Sequence, residues 1–297
     1  MTPNFERAKS RLNNIQAIEP LLAALRTLSM GTWQTAANKI IDLNQYETKF
    51  DPILSEILPK IKFRKASRSS QQKKKRQIAD TIILIIGTER GLCGKFNRTL
   101  SNNALLWINS QKFSSYQVWA MGSRLIQHLE YLGVNLSWRK SLHSPNITSY
   151  THSYQLTTKW LKQYESYAFN HFILIFNQIT QGNKNQFSTH QLIPYTNQSM
   201  ADSSTRNKSI WPPPIIETDP KGIYNQIINQ KIASSFYQTL LKSTIAENSY
   251  RYNLLQEAED NAEEIIEELK SVINTERKRK ITQEMQELAS GAGLLDN

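Results

Sequence analysis

Two stretches of sustained helical period, one at each end of the chain, constrain the fold more than any other feature. From residue 222 to about 289, apolar residues fall at Ile228, Ile232, Phe236, Leu240 and Ile245. They continue at Leu254, Ala258, Ala262, Ile265, Leu269 and Val272, then at Ile281, Met285 and Leu288. Steps near 3.5 residues suit a left-handed coiled coil. At the rise of an α-helix this run is roughly 100 Å long. The other stretch covers residues 3 to about 58. Thr2 can cap it with Pro3 at the first helical position. Its apolar positions are Ala8, Leu12, Ile15, Ile18, Leu22, Leu25 and Leu28, then Trp33, Ala36, Ile40, Leu43, Phe50, Leu54 and Ile57. That predicts a helix about 80 Å long, kinked or delayed by Pro20 and carrying Gly31 inside it. Neither stripe is stable unless something covers it. Pairing the two helices antiparallel is the economical solution.

Between them the period changes. "DTIILIIG", "YQVWAMG" and "HFILIFN" are continuous apolar runs of strand length, and "HQLIP" is a weaker fourth. "NRTLSNNALLWINSQ", "SRLIQHLEYLG" and "SYQLTTKWLKQYESYA" have helical spacing. Strands alternating with helices predict a small, mostly parallel, Rossmann-like α/β domain. The expected segments are a helix over residues 1–60, a basic linker over 61–76 and the α/β domain over 77–200. A proline-rich loop over 201–221 and a second long helix over 222–297 follow.

The charge is unevenly placed. Net charge is +11, and nine basic residues with no acid lie between Lys60 and Arg76. That run reads as a solvated connection, or as a contact for acidic loops or lipid headgroups. On the last helix, Glu257, Glu259, Asp260, Glu263, Glu264, Glu267 and Glu268 form an acidic block. Arg277, Lys278, Arg279 and Lys280 form a basic collar beyond it. The two blocks are either a solvated face or a contact with charged walls of a partner. The single cysteine, Cys93, excludes an intramolecular disulfide. The longest apolar runs are far short of the roughly 20 residues that span a bilayer. The expectation is a soluble or peripheral protein.

"IIGTERGLCGKFN", residues 85–97, looks at first like a phosphate loop. The register is wrong. A Walker loop needs Ser or Thr after Gly-Lys, and here Phe96 follows Gly94 and Lys95. Gly87, Gly91 and Gly94 do not fit the dinucleotide fingerprint either, and Glu89 would repel a phosphate. Gly91 and Gly94 read instead as a structural turn between strand and helix. The five histidines, His128, His143, His152, His171 and His190, show no metal-binding spacing. No catalytic group, cofactor site or metal site is assigned from the sequence.

Three motif regions carry a family resemblance. The run Thr88, Glu89, Arg90, Gly91, Leu92, Cys93, Gly94, Lys95, Phe96, Asn97 resembles the glycine loop of the gamma subunit of F-type rotary ATP synthases. Arg277, Lys278, Ile281, Thr282, Glu284, Glu287, Gly291 and Ala292 resemble that family's C-terminal block. Ala246, Glu247, Asn248, Arg251, Asn261 and Ala262 resemble its upstream motif, and Arg11, Ile15, Ala24 and Leu25 align more loosely. The departures are Ala246 for Ser, Asn248 for His, Leu25 for Met and Pro20 for Lys. Lys278 stands where the family has a Gln that helps grip a loop of the beta subunit. That grip is lost or remade as a charge contact. The cysteine-bearing insert of chloroplast members is absent, so no thiol switch is expected.

The resemblance implies a non-catalytic central rotor stalk that couples ion-driven rotation to ATP synthesis or hydrolysis. It implies alpha and beta subunits of the catalytic ring, an epsilon subunit and a membrane c-ring as partners. It implies no nucleotide bound directly by this chain, and a peripheral place on the cytoplasmic side of the cell inner (plasma) membrane. The shaft residues expected to meet the alpha/beta ring are Arg277, Lys278, Glu284, Leu288, Leu294 and Leu295. A basic coiled-coil protein that binds nucleic acid is the alternative, and its mark is affinity that falls steeply with salt. A P-loop NTPase is a third reading, marked by direct ATP binding.

Overall fold

The structure is a computed structural model, and it describes residues 3–61, 79–142, 147–180, 184–195, 216 and 219–291. Most of the basic run between Lys60 and Arg76 therefore lies outside the described residues, as do Leu294 and Leu295. The chain divides into two compact units, Met1–Met30 with Arg251–Asn297, and Gly31–Tyr250. The division cuts through both long helices, whereas the segments read from the sequence keep each helix whole.

Helix α1 spans Pro3–Thr48 and passes through Pro20 and Gly31 without ending. The interruption comes later, at Lys49, and α2 follows over Phe50–Ile57. The helix expected over 3–58 is thus two. The last helix, α6, spans Pro220–Gly291. Its start is set by Asp219, whose carboxylate accepts from the Lys221 N–H at 3.2 Å and the Gly222 N–H at 3.1 Å. Pro220, with no N–H to leave unpaired, occupies the first turn.

In the Gly31–Tyr250 unit, strands β1 (Thr81–Ile86), β2 (Tyr116–Met121), β3 (Leu136–Lys140), β4 (His171–Thr180) and β5 (Lys184–Ile193) form one sheet in the order β3-β2-β1-β4-β5. The first four run parallel, and β5 is antiparallel to β4. Helices α3 (Phe96–Ser110), α4 (Ser123–Tyr131) and α5 (Tyr150–Glu165) are the connections. All six residues of central β1 are buried, because helices cover both of its faces. Ile83 and Ile85 pack with Leu100, Ala104, Leu125 and Leu129 of α3 and α4. Ile82, Leu84 and Ile86 pack on the opposite face with Leu156 and Trp160 of α5 and with Ile232, Phe236 and Leu240 of α6.

Long helices and sheet meet through these contacts. Ala36 and Leu43 of α1 pack with Tyr237 and Leu241 of α6. Asn44 accepts from Gln238 at 2.8 Å, and Asp51 accepts from Lys231 at 2.6 Å. As the first number rises the second falls, so this stretch of α1 and α2 runs antiparallel to α6.

Candidate functional site

The glycine turn is built by close approach of two strand ends. Gly87 donates its N–H to Met121 at 2.9 Å. A Cβ at Gly87 would lie 2.7 Å from Leu125 Cβ. Gly122 has φ +107°, and a Cβ there would lie 2.6 Å from the Gly87 carbonyl oxygen. Both positions need glycine for space, and Gly122 needs it for conformation as well. Further on, Leu92 and Gly94 have φ of +59° and +42°. Gly91 takes no positive φ, and a Cβ added there would meet nothing nearer than Arg124 Nε at 3.9 Å. The left-handed conformation expected of Gly91 is taken by Leu92.

Glu89 shows what ties this turn to the rest of the sheet's end. Its carboxylate accepts from the Ser123 N–H at 3.0 Å, Ser123 Oγ at 2.5 Å, Ser141 Oγ at 2.6 Å and the Leu142 N–H at 2.8 Å. Ser123 opens α4, so an anion already sits at that helix N-terminus and complements its dipole. Burial acts to raise this carboxyl's pKa, but the bonds from Ser123, Ser141 and Leu142 outweigh it and hold the pKa below its ordinary value. A lowered folded-state pKa means stability that is present at neutral pH and lost as pH falls through it. Glu89→Gln should therefore destabilise the chain by about 1–2 kcal/mol at pH 7, screening at this half-exposed site included. The difference from wild type should shrink towards zero as the pH drops below the lowered pKa, which urea unfolding at pH 7 and at about pH 2.5 will read.

The rest of the turn docks on α6. Thr88 and Asn97 hold each other through a Thr88 N–H to Asn97 Oδ1 bond of 3.2 Å and an Asn97 Nδ2 to Thr88 Oγ1 bond of 2.8 Å. Cys93 and Phe96 are buried against Ala246 of α6, with Tyr250 beside them. The Phe96 and Tyr250 rings meet edge to face at 5.8 Å. Ala246 is fully buried, so the small side chain that departs from the resembled motif fits the packed turn. Among the described residues, no group of three or more His, Cys, Asp and Glu side chains is placed to hold a metal ion. A cavity of ≈ 240 Å³ between the β4–β5 ladder and α6, lined in part by Ser188, His190 and Lys242, shares no residue with the glycine turn.

The end of α6 differs from the rest of the molecule. Its last buried residue before the described region closes is Ile266. Residues 267–290 include none that is buried, yet they carry Val272, Ile281, Met285 and Leu288 at 46%, 48%, 66% and 73% exposure. That is about 35 Å of helix with an open apolar stripe. Arg277 and Lys278 are exposed and form no ion pair among the described residues. Glu284 pairs with Lys280 at 3.5 Å, and Arg279 with Glu276 at 3.9 Å. Ile18, Leu25 and Leu28 of α1, expected in the buried stripe, are exposed as well, at 50%, 36% and 64%.

The sequence model of a family described as ATP synthase matches residues 4–295. The chain belongs to that family. The curated relatives that it resembles are ATP synthase gamma chains. One, from Fusobacterium nucleatum subsp. nucleatum, is 23% identical over 293 residues, which is 99% of this chain and 100% of that one. Another, from Geobacter sp. (strain M21), is 25% identical over 295 residues, covering 97% and 98%. Among solved structures, the chain resembles part of the rotor of the Euglena gracilis mitochondrial ATP synthase. The TM-score is 0.57 at 11% identity, covering 93% of this chain and 98% of that one. It also resembles part of the central stalk and c-ring of the Tetrahymena thermophila enzyme, with a TM-score of 0.54 at 18% identity, covering 80% and 99%. At such identities the likeness to these two structures is one of fold.

Three residues of this ATP synthase family member could not be found by motif spacing. The role of Gly122 follows from two strands meeting. That of Glu89 follows from a loop reaching a helix distant in sequence. Arg26 pairs with Glu259 of the acidic block at 3.1 Å, so that block is not wholly solvated or held for a partner.

Proposed function

We propose that this chain is the central rotor stalk of an F-type ATP synthase. It couples ion-driven rotation in the membrane to ATP synthesis or hydrolysis on surrounding alpha and beta subunits. The observation that carries this reading is the end of α6, with its apolar stripe and unpaired cations uncovered over residues 267–290. A lone helix of that kind is marginal in water, so an enclosing partner supplies its stability. No described helix is long and apolar enough to cross a membrane, which fits a peripheral place on the cytoplasmic face of the cell inner (plasma) membrane. The chain supplies no catalytic group and binds no nucleotide or nucleic acid; the reaction belongs to the ring. The epsilon subunit and the c-ring are its partners towards the membrane.

The physical requirement is unequal contact. A shaft that touched three catalytic sites alike would shift the conformation of none of them. Here one helix end carries cations at Arg277 and Lys278, a paired acid at Glu284 and an apolar knob at Leu288. Each presents a different surface as the shaft turns. Leu294 and Leu295 extend the apolar end in sequence. Small and apolar side chains suit an interface that must slide, and charges supply the angle-dependent part.

Co-expression with alpha and beta subunits tests the assignment. The chain should co-elute with the ring at less than one copy per beta subunit and change its ATPase rate. Elution alone, with an ATPase indifferent to the chain, contradicts it. Within the assembled complex, Arg277→Ala with Lys278→Ala should lower coupled ATPase on the order of threefold, the scale of one exposed ion pair. An unchanged rate removes both residues from the contact.

A further inference from the structure

We propose that Arg26 fixes the register between α1 and α6 in the unit formed by Met1–Met30 and Arg251–Asn297, and that this lock carries torque along the shaft. The inference rests on the rotor-stalk reading and names a positioning residue within it. Arg26 reaches three α6 side chains. Its Nε lies 3.1 Å from Glu259 Oε2, its Nη1 donates to Gln256 Oε1, and its guanidinium stands over the Tyr252 ring at 5.9 Å. Positions 252, 256 and 259 are steps of four and three, so they share one face of α6 over about 10 Å. One planar fork therefore grips two turns of the facing helix, a geometry that a lysine cannot copy.

The apolar packing in this unit does not offer the same restraint. Its buried apolar side chains among the described residues are Ala8, Leu255, Ala262 and Ile266. Apolar burial is non-directional and rewards closeness more than any one pairing of side chains, whereas a charged fork with fixed geometry favours one register. Glu259 Oε2 is buried and makes no hydrogen bond of good geometry among the described residues, so the Arg26 charge is what balances it there. Removing Arg26 leaves that carboxylate uncompensated and frees the two helices to slip. A shaft whose helices slip stores or loses part of each rotational step.

The test uses the full complex in sealed membrane vesicles, reading ATP hydrolysis and ATP-driven ion uptake together. For Arg26→Ala, uptake per ATP hydrolysed should fall about threefold or more, on the scale of contact couplings between neighbouring side chains. Arg26→Lys should fall between that variant and wild type. Exchanging the charges with Arg26→Glu and Glu259→Arg together should recover more coupling than either change alone. A stability role alone would lower the amount of complex and leave the ratio where it is. Equal uptake per ATP in wild type and Arg26→Ala overturns the proposal. Should Arg26→Ala fail to assemble, Arg26→Lys and Glu259→Gln decide by the same ratio, and wild-type values in both overturn it. If the wild-type chain neither joins the ring nor alters its ATPase, the rotor-stalk reading fails, which is a different result.

Discussion

Gly122→Ala should be the most damaging single methyl in the chain. The new Cβ meets the Gly87 carbonyl oxygen at 2.6 Å and the Thr88 carbonyl oxygen at 2.9 Å, both backbone atoms with no rotamer to escape into. Its φ of +107° adds strain that only glycine avoids. The expected loss is on the order of 3 kcal/mol or more. It should appear as a lowered urea midpoint followed by tryptophan fluorescence, since Trp119, Trp138 and Trp160 lie in and against the core beside β1. The consequence is more than local. Gly122 N–H donates to Lys140 at 3.0 Å, and Arg124 N–H donates to Thr88 at 3.1 Å, so three loops are tied at this point. A wild-type midpoint for Gly122→Ala would mean that the strand ends are not as close as described.

Phe236→Ala should cost about 3–5 kcal/mol, the range for emptying a large buried site. Phe236 is fully buried, and its ring stands 4.9 Å from that of Trp160, which in turn lies 4.7 Å from Phe172 of β4. This ring stack is where α6 holds the sheet. Unlike Gly122→Ala, the change leaves every backbone hydrogen bond possible, so the loss comes from packing alone. Phe236→Leu, which keeps most of the volume, should recover more than half of the midpoint shift. If both variants unfold alike, the aromatic stack and not the filled volume is what matters.

The parts of this fold that were legible in the sequence are those whose environment is uniform along an element. β1, β2 and β4 were visible as apolar runs because central parallel strands are covered on both faces. β3 was not, because "LSWRK" lies at the sheet edge, where only Leu136 is buried, Ser137 and Arg139 are exposed, and Trp138 and Lys140 are partly covered. The weak fourth strand at "HQLIP" is the end of β5, which begins at Lys184 and runs antiparallel. Its polar first half hid its length, and no burial pattern encodes strand direction. The long helices were legible as a period, but not what covers them. The stripe on α1 is wider than the chain buries, so Ile18, Leu25 and Leu28 remain exposed. In the glycine turn the sequence excluded a phosphate loop by register. The positive reason, Glu89 occupying the α4 N-terminus, depends on distant residues, Ser123, Ser141 and Leu142, converging on one carboxylate. Arg26 and Glu259 are hidden for the same cause. Arg26 belongs to no motif, and Glu259 reads only as one acid of a charged block; their pairing exists only where the two helices meet.

Rotation itself is the most direct test of the central claim. The catalytic ring is fixed to a surface, and a probe is attached to this chain through Leu106→Cys, a position 69% exposed on α3. Cys93 is buried and leaves the added thiol as the accessible one. With ATP supplied, the probe should turn in one direction in three repeating steps, and stop when ATP is withdrawn. A probe that stays fixed or merely wobbles while the ring hydrolyses ATP at its full rate would contradict the account.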